Sequence, residues 1–190
     1  ARPDDFFIFL GLREQNPDLY PRSAIYQPNV EWLAVPADYE DHPGGDWWQH
    51  MRLPRMLDVL EADVFHGPSF LLPFGPRHPH AAQVATIHDL SVFSEPDAYP
   101  PRFRAYLQWV IRRVVRRADA ILCPCEFVRR DILNRIPGAA PEKLDVVPHA
   151  PADAFHREPD EPLQATRERL GLPPHFLLMV GTFERRKNPA

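Results

Sequence analysis

The chain is poor in cysteine and has no long apolar run. Only Cys123 and Cys125 are present among 190 residues. Two thiols are too few for a disulfide framework, and no second pair completes a zinc site, so a reducing cytoplasm fits best. The longest purely apolar runs, residues 6–10 and 176–180, fall far short of the roughly 18 residues a bilayer span takes. No spanning helix is expected. The phosphate-cradling P-loop, GxGxxG, the GxSxG nucleophile elbow and HExxH are all missing, as are internal repeats and low-complexity tracts. The initiator Met is missing too. Residues 6–12 are apolar and close on Arg13 and Glu14 without a small-residue cleavage motif, which opposes a secretory signal and favours a boundary made by cloning or proteolysis.

What is present is an ordinary globular balance, with 44% hydrophobic and 25% charged residues, enough to bury a core and exclude a disordered or fibrous chain. Proline is in excess, at 24 residues against ordinary usage of about 5%. The prolines are scattered along the chain and punctuate many short elements. The net charge of −4 hides two unlike halves: residues 1–100 carry −9 and the remainder +5. Residues 101–135 hold nine arginines and three acids. Such a run is either a solvated helix face or a contact for phosphate groups or an acidic membrane surface. A pI near 6.1 excludes nucleic acid as the expected partner.

Short apolar runs alternate with helix-period segments. Strands are predicted at 6–12, 30–35, 83–88, 120–123 and 144–147, with a short buried strand at 63–66. A helix at 46–61 is interrupted near Pro54. Residues 101–118 form an amphipathic helix with its arginines outward, Phe103, Leu107, Val110 and Val114 recurring at intervals of three and four. Residues 126–136 form another, with Phe127, Ile132 and Leu133 inward. Buried strands joined by crossover helices predict an α/β fold, a Rossmann-like parallel sheet with helices on both faces and ligands beyond the carboxyl ends of its strands. Residues 1–150 are read as one domain and 151–173 as a linker with a short helix at 163–170 ended by Gly171. Residues 174–190 read as the first strand (175–180) and loop of a truncated second domain.

His88 closes the strand at 83–88 and Asp89 follows it, at the sheet end where a histidine meets a sugar hydroxyl or phosphate oxygen or simply holds the loop. His66 has the same kind of placement. After the apolar segment 175–180, Arg185, Arg186 and Lys187 suit an anion or form an exposed basic turn. Cys123 and Cys125 share one side of an extended segment. A buried strand thiol followed by one at a helix start, where thiolate is favoured, accounts for them better than metal. His78, His80, Trp47 and Trp48 read as loop and core residues.

The succession DVFHGPSFLLP (63–73), VATIHDLSVF (84–93), RRADAILCPCEFVRRDIL (116–133), KLDVVPHA (143–150) and LGLPPHFLLMVGTFERRKN (170–188) resembles family-4 retaining glycosyltransferases of the GT-B fold. The resemblance implies two Rossmann-like domains facing across a cleft, the first binding mainly the acceptor and the second a nucleotide sugar. It implies that His88 lines the cleft near the transferred sugar as a catalytic residue. It implies that Arg186 and Lys187 hold the donor diphosphate, so that no metal or other cofactor is needed. His66, Asp89, Cys125 and Glu126 are further candidates for the cleft lining. Cys125 stands where the family commonly has serine, His149 and Ala150 where Asn-Gly is usual, and Thr182 where many members have arginine. The family's paired glutamates and its glycine-rich loop are expected outside residues 1–190, making the chain the inner part of a longer, peripherally membrane-bound cytoplasmic enzyme, inactive by itself. A non-catalytic binding or scaffold module is the alternative. Sugar, nucleotide and acceptor, lipid-linked or otherwise, are left open.

Overall fold

The computed structural model describes residues 4–12, 28–35, 44–73, 81–151 and 160–181. They belong to two compact units, one of residues 1–67 and 72–84 and the other of residues 68–71 and 85–190. Parallel sheets flanked by helices make the chain an α/β protein, as the alternation of elements predicts.

In the first unit, β1 (Phe7–Leu12) and β2 (Val30–Val35) pair in parallel, with Phe9 opposite Trp32 and Gly11 opposite Ala34. The helix predicted at 46–61 is two helices, α1 (Gly44–Met51) and α2 (Leu53–Val59). Their junction is Arg52, which places Pro54 in the first turn of α2, where its missing N–H breaks no helical bond. Leu53 and Leu57 are buried one turn apart. β3 (Val64–Gly67) starts one residue later than expected and is not buried: Val64 and His66 are exposed. Among the described residues it is an edge strand whose neighbour is β4 (Ala82–Thr86), with Ala82 N–H donating to Asp63 O at 2.8 Å. An edge strand covered on one side cannot bury alternate side chains as a central one does.

The second unit begins where β4 ends and is built from repeated strand-to-helix connections. After β4 come a single helical turn, α3 (Ser91–Ser94), and α4 (Pro101–Arg117). β5 (Ala120–Cys123), α5 (Glu126–Arg135), β6 (Leu144–Val146) and α6 (Asp160–Leu170) follow. β5 and β6 are parallel, Ile121 opposite Leu144 and Cys123 opposite Val146. Ile87 N–H donates to Leu122 O at 3.0 Å and Val147 N–H to Cys123 O at 2.8 Å, carrying the pairing past the strand ends.

The core of this unit is one stripe from each long helix against the strands. α4 buries Val110, Ile111, Val114 and Val115, while Phe103 near its start is exposed. α5 buries Val128 and Ile132, and Ile136 just after it, four residues apart in each case. That spacing turns Phe127 outward, 76% exposed, contrary to the expected inward position. Lys143 Nζ donates to Ala118 O at 2.9 Å, a cation on the C-terminal carbonyl end of α4 where the helix dipole favours it. α6 ends as expected. Gly171 takes φ +62°, its N–H reaches Glu168 O, and Leu172 N–H reaches Arg167 O, which is the Schellman arrangement that glycine permits. Residues 175–180, expected as a strand, are irregular, and Leu177 is fully exposed. A strand exists only by pairing, and the described residues offer this segment no neighbour.

Candidate functional site

The carboxyl ends of β4, β5 and β6 carry the residues with chemistry to offer. His88 lies two residues past β4, Cys125 two past β5 and His149 three past β6. Both histidines are exposed, whereas Ile87, just before His88, is fully buried and anchors it.

The two rings meet. His88 Nδ1 lies 3.1 Å from His149 Nε2, with ring centroids 5.2 Å apart and planes tilted by 37°. The other nitrogen of His88, Nε2, is 2.8 Å from Pro68 O. A carbonyl oxygen only accepts, so Nε2 carries a proton and donates it. In the neutral ring Nδ1 is then the acceptor, and His149 Nε2 supplies the hydrogen between the rings. The segment that holds Pro68 is itself fixed. Phe70 takes φ +40°, a left-handed conformation costly for a non-glycine residue, and its N–H donates to Thr86 O at 2.8 Å.

Asp89 is turned to its own loop. Its Oδ1 accepts from Ser91 N–H at 2.8 Å and from the Ser91 hydroxyl, which also bonds the Tyr99 hydroxyl at 2.6 Å. This carboxylate thereby starts the turn of α3, as short acidic side chains commonly do.

Cys125 is the N-cap of α5, in extended backbone and without a side-chain capping bond. Glu126 is paired, its Oε1 3.2 Å from both Arg129 Nη1 and Arg130 Nε. Arg129 Nε also donates to Leu144 O at 3.1 Å, fastening the start of α5 to β6. Cys123 is fully buried, and desolvation pushes its thiol up to about 11. It is a core residue, as expected. His66 lies on β3 in the first unit, and partial burial lowers it below its ordinary value of 6.5. Arg186, Lys187 and Thr182, with His78 and His80, lie outside the described residues. Among the described residues no cluster of three His, Cys, Asp or Glu could hold a metal ion.

The basic run forms a surface on α4. Trp109, Arg112, Arg113, Arg116 and Arg117 line a groove of about 250 Å³. The Arg112 guanidinium sits 4.8 Å from the Phe93 ring centre and that of Arg113 5.7 Å from Trp109. Arg104 instead donates to Pro96 O, and so helps to hold the loop before α4. No helix among the described residues is long and apolar enough to cross a membrane.

Residues 12–150 match the family model described as Glycosyltransferase Family 4. The chain belongs to Glycosyltransferase Family 4. Over 125 residues, 66% of the chain, it is 28% identical to the O-antigen chain mannosyltransferase B of Escherichia coli. The matched stretch covers 32% of that relative, so the chain corresponds to about a third of it. The family-4 match ends at residue 150, one residue beyond His149, and includes every residue of the histidine arrangement.

Sequence reasoning singled out His88 but not its partners. His149 was legible only as a departure from the Asn-Gly expected after Val-Pro. Its placement just beyond a strand, the same signal that marks His88, would have found it. The Pro68 carbonyl carries no side-chain signal at all.

Proposed function

We propose that the protein carrying this chain transfers a hexosyl group from a nucleoside diphosphate sugar to an acceptor with retention of configuration. In this proposal the GT-B arrangement holds, and residues 1–150 are the acceptor-side domain. Residues 151–173 are the linker, and 174–190 open the nucleotide-sugar-binding domain. The observation that carries the proposal is His88, fixed by Pro68 O just beyond β4 in a family-4 chain, at the sheet end where α/β folds bind ligands. The mannosyltransferase relative favours mannose or a similar hexose.

His88 then touches the transferred sugar, and Arg186 and Lys187 neutralise the diphosphate as it leaves, a task preorganised cations perform without a metal. Asp89, Cys125 and Glu126 serve the cleft by shaping loops and helix starts. The arginine groove on α4 faces an anionic membrane surface or a lipid diphosphate acceptor. Guanidinium groups match phosphate oxygens, and Trp109, 52% exposed, suits an interface. The enzyme works at the cytoplasmic face.

The test is transfer by the intact protein from a panel of nucleoside diphosphate hexoses, with product anomeric configuration read by NMR. His88→Ala and Lys187→Ala should each lower kcat/KM by roughly 10²-fold or more. The 190-residue chain alone should be inactive. Binding without transfer of any donor in the panel would favour the scaffold alternative. For the groove, co-sedimentation with vesicles should rise with anionic lipid content and fall when Arg112, Arg113, Arg116 and Arg117 are reversed to Glu. Insensitivity to both would remove the membrane from the proposal.

A further inference from the structure

Each ring nitrogen of His88 already has a protein partner, but the two partners differ in how firmly they are held. Pro68 O belongs to a segment pinned to Thr86 by a backbone hydrogen bond. His149 is exposed and stands in residues 148–151, an irregular and exposed segment that follows the Val147 N–H bond to Cys123 O. His88 is anchored by its buried neighbour Ile87, whose N–H bonds Leu122 O. Of the two bonds, the one to His149 is the one that opens without disturbing the backbone.

The gap between the rings has a defined polarity. On one side is an acceptor, His88 Nδ1, because Nε2 holds the proton donated to Pro68 O. On the other is a donor, His149 Nε2–H. A hydroxyl group is both donor and acceptor. Inserted between the rings, it donates O–H to Nδ1 and accepts N–H from His149 through its own oxygen. Both ring groups then stay satisfied as the gap widens. A fully ionised oxyanion such as sulfate accepts only, and would leave Nδ1 facing a lone pair.

We propose that His88 and His149 form a clamp that takes one sugar hydroxyl between their rings, making His149 a specificity-determining residue of the site. The proposal deepens the glycosyl-transfer reading, on which the choice of a sugar hydroxyl rests.

The experiment uses the intact protein with ¹⁵N-labelled histidine. Long-range ¹H–¹⁵N spectra are followed during titration with methyl hexosides, their monodeoxy analogues and sulfate. Methyl hexosides should shift His88 Nδ1 and His149 Nε2 together, and sulfate should shift neither. One monodeoxy analogue should lose both shifts and so name the clamped hydroxyl. His149→Ala should weaken hexoside binding roughly three- to tenfold, the worth of one neutral hydrogen bond. His149→Gln, which keeps an N–H donor, should recover most of it, and neither variant should weaken binding of the clamped-position deoxy analogue. Hexosides that move neither ring, sulfate that moves both equally, or unchanged binding in His149→Ala would each overturn the clamp. Absence of sugar transfer beside an intact clamp signature would count against the proposed function alone.

Discussion

The indole of Trp32 lies over Gly11 on the neighbouring strand, and a methyl group at residue 11 would overlap its ring. Trp32 is directly opposite Phe9 and stacks on it, with centroids 6.1 Å apart, so the ring reaches Gly11 as a diagonal neighbour on the same face. Gly11→Ala should cost about 1 to 2 kcal/mol by displacing the indole, after a small gain from restricting the unfolded chain. In a Trp32→Ala background the same change should be neutral or stabilising. Chemical denaturation of the four proteins checks this, and an equal cost in both backgrounds would refute the ring overlap.

Cys125 caps α5 with extended backbone, φ −159° and ψ 165°, but makes no capping bond. A serine hydroxyl accepts from the first-turn N–H groups far better than a thiol. Cys125→Ser should therefore add about 0.5 to 1 kcal/mol of stability. An unchanged or lowered thermal midpoint would show that the cap is not limiting.

The two thiols should differ sharply in reactivity. With Cys123 pushed up to about 11 by burial, roughly one molecule in a thousand carries its thiolate at pH 8. Cys125 is exposed. A disulfide reagent should therefore titrate one thiol in the native protein and two in denaturant, and two fast native thiols would contradict the burial of β5.

Stability should depend on pH through His66. Desolvation lowers its folded-state value below the ordinary 6.5, so between those two values the unfolded chain binds more protons than the folded one. Stability therefore rises with pH through that window and falls as pH drops through the folded value, with no contribution from this group above the unfolded one. His66→Gln should flatten the slope of unfolding free energy in the window just below the ordinary histidine value of 6.5. An identical slope in wild type and variant would dismiss the effect.

Elements that bury an apolar stripe were the legible part of the fold. The arginine-rich helix, the strand at 120–123 and the glycine stop after α6 follow from periodicity and from what glycine alone tolerates. The phase of α5 was less legible. Phe127 is its largest apolar residue, yet the buried line runs through Val128, Ile132 and Ile136, and Arg129 holds that rotation by reaching Leu144 O. Which face a helix presents is decided by its neighbours once two registers are both partly apolar.

The sequence by itself determined the alternation of strands and helices, the family resemblance and the placement of His88 just beyond a strand. These rest on local periodicity and on motif order, which a linear chain carries. Only the tertiary structure decided that His88 meets His149, 61 positions away, and that the Pro68 carbonyl takes its other nitrogen. Those contacts arise where separate loops converge at one end of the sheet. Convergence depends on strand pairing and backbone direction, which spacing along the chain does not record.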